Sequence, residues 1–315
     1  MPADVVVTSR SFASGDVDTA EPLRQAGLTV ATADPGHDPA DLAGPLSGAV
    51  AWIAGTGAID APLLDLAPGL RVIARYGTGT DAVDLEAAAA RDVVVTRTPG
   101  ANADSVADHT VALMLTVLRG TVAGDRSVRA GQWSQPAPGR ELGALTVGLL
   151  GFGAVGRAVA RRLSGFGSEV IAHDPGAPVD GDARAMSRDE LLERADVLSL
   201  HLPAEGKPLV DEAFLAHMRP GAVLVNTARG SLLDEAAVAA ALDDGRLAGL
   251  GTDVLAHEPA TSSPLLDAPN VTVTPHVGAN TIEAVDRMGT EAVAEVLRVL
   301  RGEAPLHPAA GRTAR

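Results

Sequence analysis

The sequence predicts an α/β protein with two parallel sheets, each covered by helices on both faces. Short apolar or β-branched runs alternate with helical spacers along nearly the whole chain, which is the pattern of βαβ connections. The composition is 46% hydrophobic but only 2% aromatic, so Ala, Val and Leu must build the core, as they do in strands buried on both faces. A chain of 315 residues also exceeds the usual size of a single core, so two domains are the natural division.

Taken in order, the first domain carries strand-like runs at Val5–Val7, Leu28–Ala31, Ala49–Ala54, Leu70–Ala74 and Val93–Val95. Helical spacers at Ala61–Leu66 and Leu85–Ala90 separate some of them. The loop Arg75-Tyr76-Gly77-Thr78-Gly79 follows the fourth run directly. Two glycines so close together expose consecutive backbone N–H groups, which form either a nest for a carboxylate or an ordinary strand-ending turn. Pro99-Gly100 is a breaker and is expected to be the first hinge between domains. Asp104–Leu118 then reads as an apolar-faced helix with an acidic first turn, followed by a loop that includes Trp133 and Pro136–Gly139.

Leu145–Asp174 organises the remainder. An apolar strand meets Gly151, Gly153 and Gly156, a helix follows, and a second strand ends on Asp174, 18 residues beyond Gly156. In this pattern Gly151 allows a sharp turn, Gly153 admits a pyrophosphate to the backbone, and Gly156 lets helix and strand pack closely. The helix start supplies free N–H groups and the positive dipole end to the phosphates. A carboxylate at Asp174 accepts from the ribose hydroxyls of NAD and repels the 2′-phosphate of NADP. The alternation continues through strands at Val197–Leu202, Ala222–Thr227, Leu250–Val254 and Val271–Thr274, with helices at Ser187–Ala195, Asp211–Met218 and Asp234–Leu242 between them. With the two strands of the fingerprint, six strands are expected. Asn280–Arg301 reads as a long amphipathic helix returning to the first domain, and Gly302–Arg315 as a loosely ordered tail.

A net charge of −15 makes nucleic acid an unfavourable partner. With no cysteine, no disulfide, thiolate nucleophile or thiolate metal site can form. The N-terminus shows no basic segment followed by a long apolar stretch, and the apolar runs are too short to span a bilayer, so a soluble cytoplasmic protein with no membrane partner is expected.

Hydride chemistry on a nicotinamide needs a group that carries a proton near neutral pH, and His276, at a strand end of the dinucleotide sheet, is the candidate. Glu258 follows another strand of the same sheet, and a carboxylate beside an imidazole favours its protonated form and fixes its tautomer. Arg229 ends a third and can clamp a carboxylate with two hydrogen bonds. His257 and His201 are the rivals to His276. Each of these residues read alone has an equally ordinary structural role.

At these residues the chain resembles the D-isomer-specific 2-hydroxyacid dehydrogenases, which include phosphoglycerate dehydrogenases and glyoxylate or hydroxypyruvate reductases. The resemblance rests on GFGAVG with Asp174, LLERADVLSLHLP (191–203), MRPGAVLVNTARGSLLDEAAVAAAL (218–242), GLGTDVLAHEP (249–259), TPHVGANT (274–281), ARYGTGTDAVDL (74–85) and TPGANADSVADHTVALML (98–115). It implies two Rossmann-like domains: a flavodoxin-like substrate domain, 1–98 plus 282–315, and a doubly wound NAD-binding domain, 99–281, inserted in it. It further implies His276 as acid/base, Glu258 tuning it and Arg229 orienting a 2-keto or 2-hydroxy acid, with the backbone from Tyr76 to Gly79, and Arg75, on the substrate carboxylate side. Cofactor contacts implied for NAD are Thr78, Gly151, Gly153, Ala154, Val155, Gly156, Asp174, Leu202, Thr227, Ala228, Arg229, Asp253, His276 and Gly278, in a homodimer built through the NAD-binding domains. The resemblance also implies that phosphoglycerate dehydrogenases carry basic residues around Ile53–Ala58 for the substrate phosphate; here the stretch reads IAGTGA with no cation, although Arg75 remains, so a small D-2-hydroxy acid is favoured over 3-phosphoglycerate. A non-catalytic NADH-sensing interaction protein, like the corepressors that resemble this family, is the alternative from another class.

Overall fold

The computed structural model describes residues 3–133, 137–204 and 206–309. The chain divides into two compact units, Met1–Asn102 with Asn280–Arg315, and Ala103–Ala279. The expected boundaries after residues 98 and 281 therefore move. Residues 99–102 belong to the first unit because Ala101 O accepts from Arg287 Nε at 2.7 Å and the Asn102 side chain meets Thr78 Oγ1 at 3.4 Å. Thr281 belongs there too, as the cap of the last helix.

In the first unit, β1 (Val5–Val7), α1 (Glu21–Gln25), β2 (Val30–Thr32), α2 (Pro39–Leu46), β3 (Ala51–Ala54), α3 (Ala61–Asp65), β4 (Val72–Arg75), α4 (Leu85–Ala90) and β5 (Val94–Thr96) follow in order. The five strands pair in parallel in the order β2-β1-β3-β4-β5, which is the flavodoxin-like arrangement. β1, β3 and β4 are buried at every residue, as continuous apolar runs in a doubly covered sheet must be.

The second unit contains α5 (Ala103–Arg119), α6 (Thr121–Arg129), β6 (Thr146–Leu150), α7 (Ala154–Ser164), β7 (Glu169–His173), β8 (Arg184–Ala185), α8 (Arg188–Arg194), β9 (Val197–Leu200), α9 (Glu212–His217), β10 (Ala222–Asn226), α10 (Glu235–Asp243), β11 (Leu247–Thr252) and β12 (Val271–Val273). Among the described residues its sheet has seven strands in the order β12-β11-β10-β9-β6-β7-β8, all parallel. The expected count of six fell short by β8. This strand is the third in doubly wound order, but it is a two-residue exposed stub with no apolar period to read. α6 was also missed. It buries no residue, so no hydrophobic stripe marks it within what reads as a loop. That expected loop is reduced to the residues after α6, and its positions 134–136 lie outside the described residues. α5 and α6 are bent by 63° relative to each other, and among the described residues no single helix is long and apolar enough to cross a membrane.

Acidic caps start many of the helices. Asp38, Asp60, Asp84, Asp211 and Asp234 each accept a backbone N–H from the first turn they precede, and Ser187 with Glu190 forms a reciprocal capping box. Part of the acidic excess is thus spent at helix starts, where the dipole favours it.

The chain closes with α11 (Ile282–Leu300), capped by Thr281. The expectation of a loose tail is overturned for residues 302–309, while 310–315 lie outside the described residues. Arg97 N donates to His307 O at 3.0 Å and Ala309 N to Val95 O at 2.8 Å, so this segment lies along β5 as an antiparallel strap. Glu295 of α11, only 2% exposed, accepts from Leu306 N at 3.0 Å and His307 N at 3.2 Å. Glu295→Ala is expected to remove about 1–3 kcal/mol of stability and to speed amide exchange across residues 303–309. A urea midpoint and exchange rates equal to wild type would show that the strap holds without this carboxylate.

Candidate active site

Parallel pairing lines up the carboxyl ends of the strands of the second sheet. Leu150 lies level with His173 and Leu200, Leu200 with Asn226, Asn226 with Thr252, and Thr252 with Val273. The chain leaves this row in loops that carry Gly151–Gly156, Asp174, His201-Leu202, Thr227–Gly230, Asp253–Glu258 and Thr274–Gly278. Strand order reverses between β6 and β9, and the crevice outside the carboxyl ends at such a reversal is where open α/β sheets take ligands.

The glycine turn fits a dinucleotide. Gly151 has φ +99°, and a Cβ there would lie 2.5 Å from His201 O. A Cβ on Gly156 would lie 2.4 Å from Gly151 O. A Cβ on Gly153 would meet nothing within 4 Å, so the missing side chain there opens space over the start of α7 instead of relieving a clash. Ala154 and Val155 form the first helical residues, whose N–H groups have no acceptor inside a helix. That open, positively polarised cradle suits a pyrophosphate.

Asp174 is tied to the turn around it. Its Oδ2 accepts from Phe152 N at 2.6 Å, and its Oδ1 from Gly176 N at 2.7 Å and Ala177 N at 2.8 Å. Partial burial works to raise its pKa, but these three N–H donors outweigh burial and hold it below the ordinary value. A carboxylate can accept about four hydrogen bonds, so capacity remains for a ribose hydroxyl. Leu202 and Thr227, which follow β9 and β10 on the same edge, are half-buried, and Thr227 Oγ1 meets Thr110 Oγ1 at 2.8 Å. Ala228 N is held by Asn226 Oδ1 at 3.0 Å.

At the far end of the row, His276 Nδ1 lies 2.7 Å from Glu258 Oε2, with both side chains about a third exposed, at 36% and 35%. Glu258 Oε1 accepts from Leu255 N at 3.1 Å, which fixes the carboxylate's direction. Arg229 Nη1 donates to Ala228 O at 2.7 Å, and Asn226 Nδ2 donates to Arg229 O at 2.8 Å. A Cβ on Gly230 would sit 2.0 Å from the Leu255 carbonyl carbon, so the loop after Arg229 abuts the loop that orients Glu258. His276 is thus joined to Glu258 directly, and the loop that follows Arg229 packs against the loop that orients Glu258. Such a cluster can donate or accept a proton at His276 Nε2 and offer a guanidinium to a carboxylate.

The rivals separate. His257 is exposed, and its neighbour Glu258 turns to His276. His201 has a buried Nε2 and burial pushes its imidazole down to about 4, so it stays neutral at physiological pH.

Asp253, 3% exposed, holds the His276 loop. Its carboxylate accepts from Thr274 Oγ1, from Val277 N at 2.9 Å and from Gly278 N at 2.7 Å, and its own carbonyl accepts from His276 N at 2.9 Å. Burial works to raise its pKa, but His109, Thr274 and the two N–H groups bring it below the ordinary range. Ser105, His109, Thr110 and Thr274 were not singled out from the sequence. Ser105 and His109, four apart on α5, carry a helical spacing, but nothing in it points to this loop.

In the first unit the substrate-loop expectation narrows. Tyr76 N already donates to Ala54 O at 2.9 Å, and Gly77 N to Thr98 Oγ1 at 3.0 Å. Of the four expected N–H groups, those of Thr78 and Gly79 are the ones left to meet an anion. Arg75 is buried, with Nη1 donating to Ala54 O and Tyr76 O.

Residues 111–278, just over half of the chain, match the family described as D-isomer specific 2-hydroxyacid dehydrogenase, NAD binding domain. The chain belongs to this family. The D-3-phosphoglycerate dehydrogenase of Mycobacterium tuberculosis is 44% identical over 252 residues, 78% of this chain and 48% of that protein. The chain therefore spans about half the length of the phosphoglycerate dehydrogenases it matches. The glyoxylate reductase of Thermofilum pendens is 39% identical over 79% of this chain and 78% of its own. Among solved structures, the TT0316 protein of Thermus thermophilus superposes with a TM-score of 0.87 at 40% identity, covering 96% of this chain and 99% of its own. NAD is the cofactor of the family's matched domain, and the open cradle at Gly153 accommodates it.

The depressed carboxylates set a direction for pH. Asp174 and Asp253 both titrate below their ordinary 3.8 in the folded state, so their contribution to stability is present above that value and is lost as pH falls below it, through their lower folded-state values. In urea titrations from about pH 5 to about pH 3, the midpoint of the wild type is expected to drop more than that of Asp174→Asn. Parallel curves would mean that Asp174 has no preferential interaction with the folded turn.

Proposed function

We propose that this dehydrogenase moves a hydride between NAD and C2 of a small D-2-hydroxy or 2-keto acid. The observation that carries the reading is the 2.7 Å contact between His276 Nδ1 and Glu258 Oε2 on the sheet edge that also bears the glycine fingerprint. When bound, NAD supplies the hydride carrier. Nδ1 is turned to Glu258, so His276 keeps its exchangeable proton at Nε2. It gives that proton to the carbonyl oxygen as C2 is reduced, and takes it from the hydroxyl in the reverse direction. Glu258 orients the ring and offsets the charge of the imidazolium. Arg229 pairs with the substrate carboxylate and fixes which face of C2 is presented. Asp174 selects NAD over NADP by charge.

A homodimer through the second unit belongs to the same reading. Val128 and Trp133 of that unit, 51% and 89% exposed, are large apolar side chains that a second copy would cover.

3-Phosphoglycerate is a second substrate reading, favoured by the 44% identity to the mycobacterial phosphoglycerate dehydrogenase. Against it, Ile53–Ala58 offers no cation.

The test is loss of NADH absorbance with glyoxylate, hydroxypyruvate and related keto acids, and the reverse reaction with 3-phosphoglycerate. His276→Asn is expected to lower kcat by about 10²–10⁴-fold with NADH affinity within about threefold of wild type. kcat/KM with NADH should exceed that with NADPH by about a hundredfold, the scale of one like-charge clash. NADH binding without turnover of any acid would favour a sensing protein, and full activity in His276→Asn would remove the proposed acid/base.

A further inference from the structure

We infer that His109 of α5 is a positioning residue for the reaction: it holds the segment that carries His276 through the Asp253–Thr274 pair. The inference rests on reading His276 as the acid/base.

His276 is a non-glycine residue at φ +53°, in the left-handed region that costs free energy unless its surroundings enforce it. The enforcement comes from Asp253. Three successive N–H groups, those of His276, Val277 and Gly278, all point at this one residue, the first at its carbonyl and the other two at its carboxylate. A carboxylate only 3% exposed needs such donors to stay charged.

α5 completes the clamp from the other side. His109 Nε2 lies 2.8 Å from Thr274 Oγ1 and 3.3 Å from Asp253 Oδ1. Thr274 Oγ1 spends its proton on Asp253 Oδ1 at 2.5 Å, so its lone pair must receive, and His109 must therefore carry its proton on Nε2. Ser105, one turn earlier, donates to Gly278 O at 2.6 Å. Both side chains stand on a helix whose opposite side is locked in the core by Ala107, Val111 and Met114. The position of His276 is thus referred to a rigid helix through two hydrogen bonds and a buried carboxylate, with His109 acting through Thr274 and Asp253 and not on His276 or Glu258 directly.

The test compares His109→Leu, which keeps bulk and removes the donor, with His109→Gln, whose amide nitrogen can reach Thr274 Oγ1. Thr274→Val cuts the same link from its other end and serves if the leucine variant does not fold. His109→Leu is expected to lower kcat about tenfold, the scale of one hydrogen bond to a charged group, with KM for the keto acid and NADH affinity within about threefold. Amide exchange of the peptide covering 274–279, measured without cofactor, should quicken about tenfold by the same reasoning. His109→Gln should restore both to within about threefold. Wild-type kcat and exchange in the leucine variant, or equal losses in the glutamine and leucine variants, would overturn the role of this hydrogen bond. His276→Asn assayed alongside separates the two failures. If it stays active, the reading of His276 is wrong; if it is dead while His109→Leu is intact, only the positioning role is wrong.

Discussion

Parallel pairing is the constraint on which the rest of this protein depends. Each βα crossover returns the chain to the same end of the sheet before the next strand begins, so all the strands of a sheet finish on one edge. In the second unit that edge is the row Leu150, Leu200, Asn226, Thr252 and Val273. Chemistry then needs only the few residues that follow each strand. Gly151 and His276 lie far apart along the chain, yet they follow strands of one sheet.

The division of labour along each strand is sharp. β9 and β10 are buried at every residue and supply the dense floor. Apart from Ser199 inside β9, the polar groups gather where the strands stop, and most of them there, His201 Nε2 excepted, are satisfied by one another or by backbone. Asn226 brackets the Arg229 loop, Leu255 N fixes Glu258, and Asp253 collects the N–H groups of the His276 loop. The donors around a buried carboxylate offset the cost of burying its charge, and the satisfied network fixes the loop that supplies them.

The first unit applies the same architecture to a different end. Its five-stranded sheet also delivers a glycine loop from a strand end, but Tyr76 and Gly77 spend their N–H groups on Ala54 and Thr98. Its edge strand β5 is covered by the chain's own residues 307–309, which removes an open hydrogen-bonding edge.

Much of this was legible beforehand because local signals carry it. Apolar periodicity marked the long helices and most of the strands, and the fingerprint at Gly151–Gly156 marked the turn and its ligand class. His276, Glu258 and Arg229 stood out because each follows a strand. What stayed illegible had no local signal. β8 is two exposed residues, α6 buries nothing, and the strap at 303–309 is tied down by Glu295 from a helix earlier in the chain. His109 looked like one more polar position on an amphipathic helix. By itself the sequence determined the layered fold, the dinucleotide turn and which residue types end the strands, since period and spacing are local properties. Tertiary structure alone decided that Glu258 turns to His276 rather than leaving it to His257, that Asp174 braces the glycine turn, and that α5 grips the loop carrying His276, because each is a contact between groups that only the folded sheet brings within hydrogen-bonding distance.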